Sequence, residues 1–141
     1  MKSRDLDVLI HRWTQDAIVA GQLEVFDDLL ADDVIDRTGP TPTRGRAPFK
    51  ERTRGIRSAF NALSIIVDDV VLDGGRAAWR WTLEGTHAGV FAGLAPTMAR
   101  AAVRGVNFQI IAGGRVVEHW SLVDVFGTLQ SLRASASLAN R

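Results

Sequence analysis

The sequence predicts an α+β fold in which a curved antiparallel sheet wraps around N-terminal helices. Two observations predict it: apolar residues recur at helical spacing in three stretches of the first 60 residues, and the pattern then changes to that of β-strands from Leu63 onward. A strongly bent sheet around one long helix makes a cone-shaped α+β barrel with an internal pocket, which suits a small apolar ligand. We expect a single domain over residues 1–141, with a frayed tail over about 133–141.

The composition is that of an ordinary globular domain, with 46% apolar and 23% charged residues. The net charge of +1 gives no reason to expect nucleic acid or an anionic membrane as partner. The absence of cysteine excludes disulfides and thiolate ligands, and His11, His87 and His119 lie too far apart for a local metal motif. Because the N-terminus lacks the apolar run of a signal peptide, we expect a cytoplasmic protein. We also expect no cofactor and no metal.

Three helices are expected before the sheet. The first covers residues 5–20, where apolar residues recur at helical spacing and Gly21 supplies a stop. The second covers residues 22–30, and the third covers residues 48–60, because Pro48 suits a first turn. Trp13 on the first helix is either core or a wall of the pocket. The outer face of the third helix is expected to be solvated rather than an anion site; it carries Lys50, Arg52, Arg54 and Arg57.

A short strand at residues 34–35 is followed by four longer ones, at residues 64–72, 76–86, 97–111 and 116–124. In the second of the four, Trp79 and Trp81 line either a core or a pocket for a flat aromatic ligand. The connection over residues 87–96 holds His87 and Phe91, and it either closes over a cavity mouth or only joins two strands.

The third of these strands is too long to run straight, so we expect a bulge or bend at Gly105. Beyond it, Phe108 is a candidate wall of the pocket. Asn107 and Gln109 share the other face, where they are either solvated or hydrogen-bond donors in a cavity.

The last strand ends in the candidate catalytic residue, Asp124. A carboxylate that ends an apolar strand face is costly unless it is paired, hydrogen-bonded or wet. Poor solvation would raise its pKa, which suits a group that transfers protons. Counting by two places His119 on the opposite face. The expected face of Asp124 consists of Val116, Glu118, Trp120, Leu122 and Asp124.

Several stretches together resemble the SnoaL-like polyketide cyclases over roughly residues 8–130. The most specific are RWTLEGTHAG (80–89), FAGLAPT (91–97) and GGRVVEHW (113–120) followed by Asp124. LLADDV (29–34), RGRAPFKE (44–51) and AFN (59–61) are also similar. Two positions depart from the family: Met98 replaces a glycine and so changes the loop geometry, and Ile110 stands where an arginine is usual.

The resemblance implies the cone-shaped fold that is shared with ketosteroid isomerase and scytalone dehydratase. Characterised members close the last ring of anthracycline-type polyketides, a step of antibiotic biosynthesis, by intramolecular aldol condensation without metal or cofactor. An aspartate after the EHW element acts there as acid and base, and the matching position here is Asp124. Known cyclases also use pocket histidines to hold an enolate oxygen.

Three functions are therefore considered: an aldol cyclase with Asp124 as general acid and base, a cofactor-free hydroxylase of a polycyclic aromatic polyketide, and a non-catalytic binding protein. The expected partner is a small apolar or aromatic polyketide-like ligand, not nucleic acid or membrane, and the expected assembly is a homodimer or homotetramer. The candidate pocket residues are Trp13, Trp81, His87, Phe91, Asn107, Phe108, Gln109, His119 and Trp120.

Overall fold

The computed structural model describes residues 1–139. Helix α1 spans Ser3–His11 and continues as a π-helical segment, Arg12–Val19. Helices α2, α3 and α4 span Val25–Leu29, Ala47–Ala59 and Val125–Ala139. The strands are β1 (Leu30–Asp36), β2 (Thr43–Arg44), β3 (Phe60–Asp73), β4 (Arg76–His87), β5 (Arg100–Ala112) and β6 (Arg115–Val123).

The strands form one curved, open sheet in the order β2-β1-β6-β5-β4-β3. Strands β3 to β6 make the predicted antiparallel meander, while β1 adds a parallel pairing to β6 and an antiparallel one to β2. The predicted α+β class is confirmed, although the sheet does not close into a complete barrel. No helix within residues 1–139 is long and apolar enough to cross a membrane.

The first helix and its π-helical continuation pack their apolar stripe into the concave side of this sheet. Leu6, Leu9, Trp13 and Ala17 are buried and belong to one cluster with Trp79 of β4. Burial of each large apolar side chain contributes about 1.5–3 kcal/mol, so this stripe fixes the helix against the sheet. The segment ends at Val19, and Gly21 follows its C-cap Ala20 with a φ of +76°, which favours glycine.

Strand β5 runs through Gly105 without a bulge and without the expected change of face. The pairing with β4 is continuous there, and inward and outward residues alternate along the whole strand. The prediction was wrong because Val106 and Phe108 are apolar yet face outward, with 45% and 38% of their surfaces exposed. Asn107 and Gln109 therefore face inward and are buried.

The irregularity lies instead between β5 and β6. The pairing shifts between Ile110↔Glu118 and Ile111↔Val116, so Val117 is an extra residue in β6. As a result both Val116 and His119 are buried on the inner side. The prediction that Val116 shares a face with Trp120 and Leu122 was wrong, because one extra residue reverses the alternation.

The chain after β6 is helical rather than frayed as far as Ala139, and residues 140–141 of the expected tail lie outside the described part. Leu132 of α4 is fully buried in a second apolar cluster with Val103 of β5. In the loop before β5, Met98 adopts a φ of +60°. Methionine thus takes the left-handed conformation that glycine prefers, at a cost of about 1–2 kcal/mol.

Candidate functional site

A cavity of about 140 Å³ lies between the N-terminal helices, α3 and the inner face of the sheet. Its wall is mainly apolar and aromatic, as expected for a site that holds a flat organic molecule. The lining residues are Trp13, Thr14, Ile18, Phe26, Phe49, Arg52, Thr53, Ile56, Ile65, Trp79, Trp81, Leu83, Val103, Asn107 and Val123. Trp13 is thus both part of the core and a wall of the cavity.

Trp81 and Asn107 form the first polar feature of this wall. The indole Nε1–H of Trp81 donates to Asn107 Oδ1 at 3.1 Å. Because an indole N–H can only donate, this bond fixes the orientation of the Asn107 amide. The Nδ2 amino group of Asn107 therefore keeps its N–H donors for a ligand in the cavity.

The two threonines of the wall have no donor to offer. Thr14 Oγ1 donates to Ile10 O at 2.9 Å, and Thr53 Oγ1 donates to Phe49 O at 2.9 Å, both within their own helices. Among the described residues, the wall side chains that keep N–H groups without a protein acceptor are Asn107, Arg52 and Trp13, and none of the wall side chains is a carboxylate. This arrangement suits an oxygen that carries negative charge.

Arg52 is held in place by Asp36 at the end of β1. Its Nη1 donates to Asp36 Oδ2 at 2.5 Å, and its guanidinium carbon lies 5.0 Å from the centre of the Phe49 ring. Burial acts to raise the pKa of Asp36, but hydrogen bonds from Thr38 and Arg52 outweigh it and keep that pKa below its usual value. Asp36 is only 3% exposed, so its charge depends on this pairing.

A second indole and amide lie deeper in the core. Trp79 Nε1–H donates to Gln109 Oε1 at 3.2 Å, so the Gln109 amino group donates to His119 Nδ1, also at 3.2 Å. The proton of the neutral imidazole is thereby assigned to Nε2. Burial lowers the pKa of His119 to about 4, Asp36 opposes this shift and Arg52 adds to it.

His119 does not line the cavity but lies behind two of its aromatic walls. Its ring stacks on Trp13 at 5.2 Å between centroids, and it meets the edge of Phe49 at 5.1 Å. Gln109, also a predicted pocket residue, is fully buried beside it. Both residues therefore support the cavity wall from behind.

Asp124 lies outside the cavity, directly before α4. Its Oδ1 accepts the backbone N–H of Gly127 at 2.8 Å, which is the arrangement of a helix N-cap. The side chain is exposed and lines an outer groove with Asp68, Arg80 and Arg104. The expectation of a poorly solvated carboxyl was wrong, because the apolar face before it points to the outside of the sheet.

The groove and the cavity are neighbours, since Trp81 and Val123 line both. Asp124 is thus next to the mouth of the cavity although it is not within it.

Four other predicted pocket residues lie away from the cavity. His87 ends β4 and is buried beside Phe60, and its Nδ1 accepts the backbone N–H of Thr97 at 3.2 Å. Phe91 packs on Phe60 with 5.1 Å between centroids. Phe108 and Trp120 pack together on the outer face of the sheet at 5.4 Å, because both have outward positions in the pairing.

Sequence reasoning missed the pairing of Arg52 with Asp36. Arg52 was expected on the solvated outer face of the third helix, and Asp36 was assigned no role. They lie in different elements, and no local spacing indicates that they meet. Within residues 1–139, no group of three or more His, Asp or Glu side chains is placed to hold a metal ion.

Known structures share this fold along nearly the whole chain. TsrD from Streptomyces laurentii superposes with a TM-score of 0.85 at 23% identity, covering 94% of this chain and 97% of that one. AclR from Streptomyces galilaeus, a proposed hydroxylase, has a TM-score of 0.81 at 23% identity, covering 94% and 98%. IdmH from Streptomyces antibioticus, a proposed polyketide cyclase, has a TM-score of 0.78 at 27% identity, covering 91% and 97%.

No curated protein matches this chain. The family model of the SnoaL-like polyketide cyclases, however, matches residues 8–132, which include every element that lines the cavity and the groove. The chain therefore belongs to the SnoaL-like polyketide cyclase family.

Proposed function

We propose that this protein binds a polyketide-like aromatic ketone in the cavity and closes a ring of it by intramolecular aldol condensation. The observation that carries this proposal is the polar character of the cavity wall, where Asn107 and Arg52 offer N–H donors beside aromatic side chains. A wall of donors without a carboxylate attracts a carbonyl oxygen and still more the enolate oxygen formed from it. Membership in a family of polyketide cyclases supports the same substrate class.

The cavity would act by stabilising the charge that develops during the reaction. The reaction begins when a base removes a proton from a carbon between two carbonyl groups, leaving an enolate. The enolate carbon then forms a bond to the carbon of a third, more distant carbonyl group of the same molecule, and the oxygen of that group becomes an alkoxide and takes up a proton. Donors that are fixed before the reaction, as the Asn107 amide is by Trp81, stabilise the enolate without reorganisation.

Asp124 is the proposed acid and base. It would take the proton from the part of the substrate that extends past Trp81 into the outer groove, and it would return the proton to the alkoxide. General acid and base catalysis of this kind contributes about 10²–10⁴-fold to the rate. Enclosure of the rest of the substrate would add the benefit of proximity.

The variant Asp124→Asn tests this role. Asparagine caps a helix as well as aspartate does, so α4 keeps its N-cap while the base is lost. The matched control is Asp68→Asn, which removes another carboxylate from the same groove. With a substrate that carries one aromatic ring and a polyketone side chain able to close by aldol condensation, we expect the first variant to lose turnover by about 10²-fold or more and the control to retain it. Retained turnover in Asp124→Asn would contradict the role of Asp124.

A second candidate function is binding without reaction. It is favoured by the absence of a carboxylate from the cavity wall within residues 1–139 and by the capping role of Asp124. A ligand that binds tightly and is recovered unchanged by mass spectrometry, from the wild-type protein as from Asp124→Asn, would support it. The hydroxylase hypothesis stays a prediction, and its test is whether turnover requires oxygen.

The expected homodimer or homotetramer also stays a prediction. The outer face of the sheet and the start of α4 expose large apolar side chains: Val106, Phe108, Leu122 and Phe126.

A further inference from the structure

The cavity is small for the substrates that its family suggests. Its volume is about 140 Å³. An engineered apolar cavity of about 150 Å³ in another protein holds one benzene molecule. The enclosed space therefore has room for one aromatic ring and its carbonyl group, but not for three fused rings.

Trp81 is the side chain that limits this space toward the outside. It lines the cavity on one side and the outer groove, about 450 Å³ in volume, on the other. Val123 is the other side chain that both spaces share, and Asp124 lies on the groove side. Because Trp81 lines both spaces, removal of its indole would widen the connection between Asn107 in the cavity and Asp124 in the groove.

Two contacts keep the indole in this position. Its Nε1–H donates to Asn107 Oδ1 at 3.1 Å. Its six-membered ring lies over Gly105, where a Cβ atom would come within 2.3 Å of Trp81 Cζ2. The glycine that was predicted to bend β5 thus provides the space in which the indole lies.

We propose that Trp81 sets the size of the ligand: with the indole in place, the cavity admits a single ring that bears a carbonyl group, and larger fused systems are excluded from it. This inference rests on the proposed function, because it takes the cavity as the ligand site. It adds a substrate class to the proposed function. The substrate would be a ketone with one ring in the cavity and any remaining part in the groove.

A matched series of ligands tests the proposal: acetophenone, 2-acetylnaphthalene and 2-acetylanthracene, which carry the same acetyl group on one, two and three rings. Dissociation constants are measured by calorimetry for the wild type, Trp81→Ala and Gly105→Ala. The matched control is Trp120→Ala, which removes a tryptophan from the outer face of the same sheet. Circular dichroism establishes that each variant is folded.

In the wild type we expect acetophenone to bind at least about tenfold more tightly than 2-acetylanthracene, a difference of about 1.4 kcal/mol. Trp81→Ala should bind the three-ring ketone about tenfold more tightly than the wild type does. Gly105→Ala should also improve binding of the three-ring ketone relative to acetophenone. The methyl group of alanine would displace the indole of Trp81 without removing it. Trp120→Ala should keep the wild-type preference.

The outcomes separate the two proposals. If acetophenone binds the wild type and neither Trp81→Ala nor Gly105→Ala improves binding of the three-ring ketone, the role of Trp81 is wrong and the cavity remains the ligand site. If acetophenone does not bind the wild type, the proposed function and the inference built on it both fail. Should Trp81→Ala not fold, Gly105→Ala alone decides, since it retains every tryptophan.

Discussion

Two pairs of an indole and a side-chain amide stand two residues apart on the same two strands, β4 and β5. In the inner pair, Trp79 donates to Gln109, and Gln109 donates to His119, so the amide is bonded within the protein through both its oxygen and its nitrogen. In the outer pair, Trp81 donates to Asn107, and the amino group of Asn107 faces the cavity. The same indole-to-amide hydrogen bond therefore lies within the core in one pair and in the wall of the cavity in the other.

The difference between the pairs is the presence of a third protein partner. Gln109 has one in His119, which the extra residue in β6 turns inward. The side chain of Asn107 is one methylene group shorter than that of Gln109, and it lines the cavity instead. A buried amide that lacks a protein partner on one side is an attractive place for a ligand oxygen, because an unpaired buried donor is costly.

The largest expected effect comes from breaking the inner pair. Gln109→Leu keeps the volume but leaves the Trp79 N–H and His119 Nδ1 without partners, so we expect the free energy of unfolding to fall by about 4 kcal/mol. Asn107→Leu is the matched change in the outer pair. It leaves only the N–H of the half-buried Trp81 without an acceptor, so we expect the free energy of unfolding to fall by about 1 kcal/mol. Urea unfolding of both variants measures the difference. Equal losses of unfolding free energy in the two variants would contradict the proposed difference between the pairs.

A second effect concerns the pH dependence of stability. The imidazole of His119 has a pKa of about 4 in the folded protein and 6.5 when unfolded. Between these values the unfolded chain binds a proton that the folded chain does not. The free energy of unfolding should therefore fall as the pH is lowered from 6.5 to 4, by about 3 kcal/mol in full.

The charged groups that act on His119 are the carboxylate of Asp36 and the guanidinium of Arg52. The folded pKa of Asp36 lies below 3.8, so its own contribution is lost only as the pH falls further. Urea unfolding at pH 7, 5.5 and 4.5 measures the slope, which His119→Asn should flatten. His11→Asn, at an exposed histidine of α1, is the control and should keep it. Equal slopes in the wild type and His119→Asn would contradict the assignment.

The sequence was a good guide to the elements of the fold. Helical spacing located α1 and α3, and alternation located β3 to β6, because both patterns follow from burying one side of an element. The extra residue at Val117 could not be predicted, since no glycine or proline marks it. The change of face inferred at Gly105 was wrong for a related reason. Apolar residues on an exposed face of a sheet have the same sequence pattern as residues that turn inward.

The site was harder to predict than the fold. Asp124 stood out because its strand face is apolar, but that face is the outer one, and the carboxylate caps a helix that was expected only as a short tail. Asn107 was expected either in solvent or as a donor in a cavity; it is buried and lines the cavity, and its role as a donor stays a prediction. Arg52 and Asp36 meet only through the tertiary structure, so local patterns gave no signal for them.

The most direct test of the central claim is whether the Asn107 amide selects a carbonyl oxygen. Dissociation constants of acetophenone and of ethylbenzene, which lacks the oxygen, are compared in the wild type and in Asn107→Leu. We predict that the wild type prefers the ketone by about tenfold, as one hydrogen bond of about 1.4 kcal/mol would give, and that Asn107→Leu loses this preference. A variant that retains the full preference would contradict the claim that Asn107 forms the polar centre of the site.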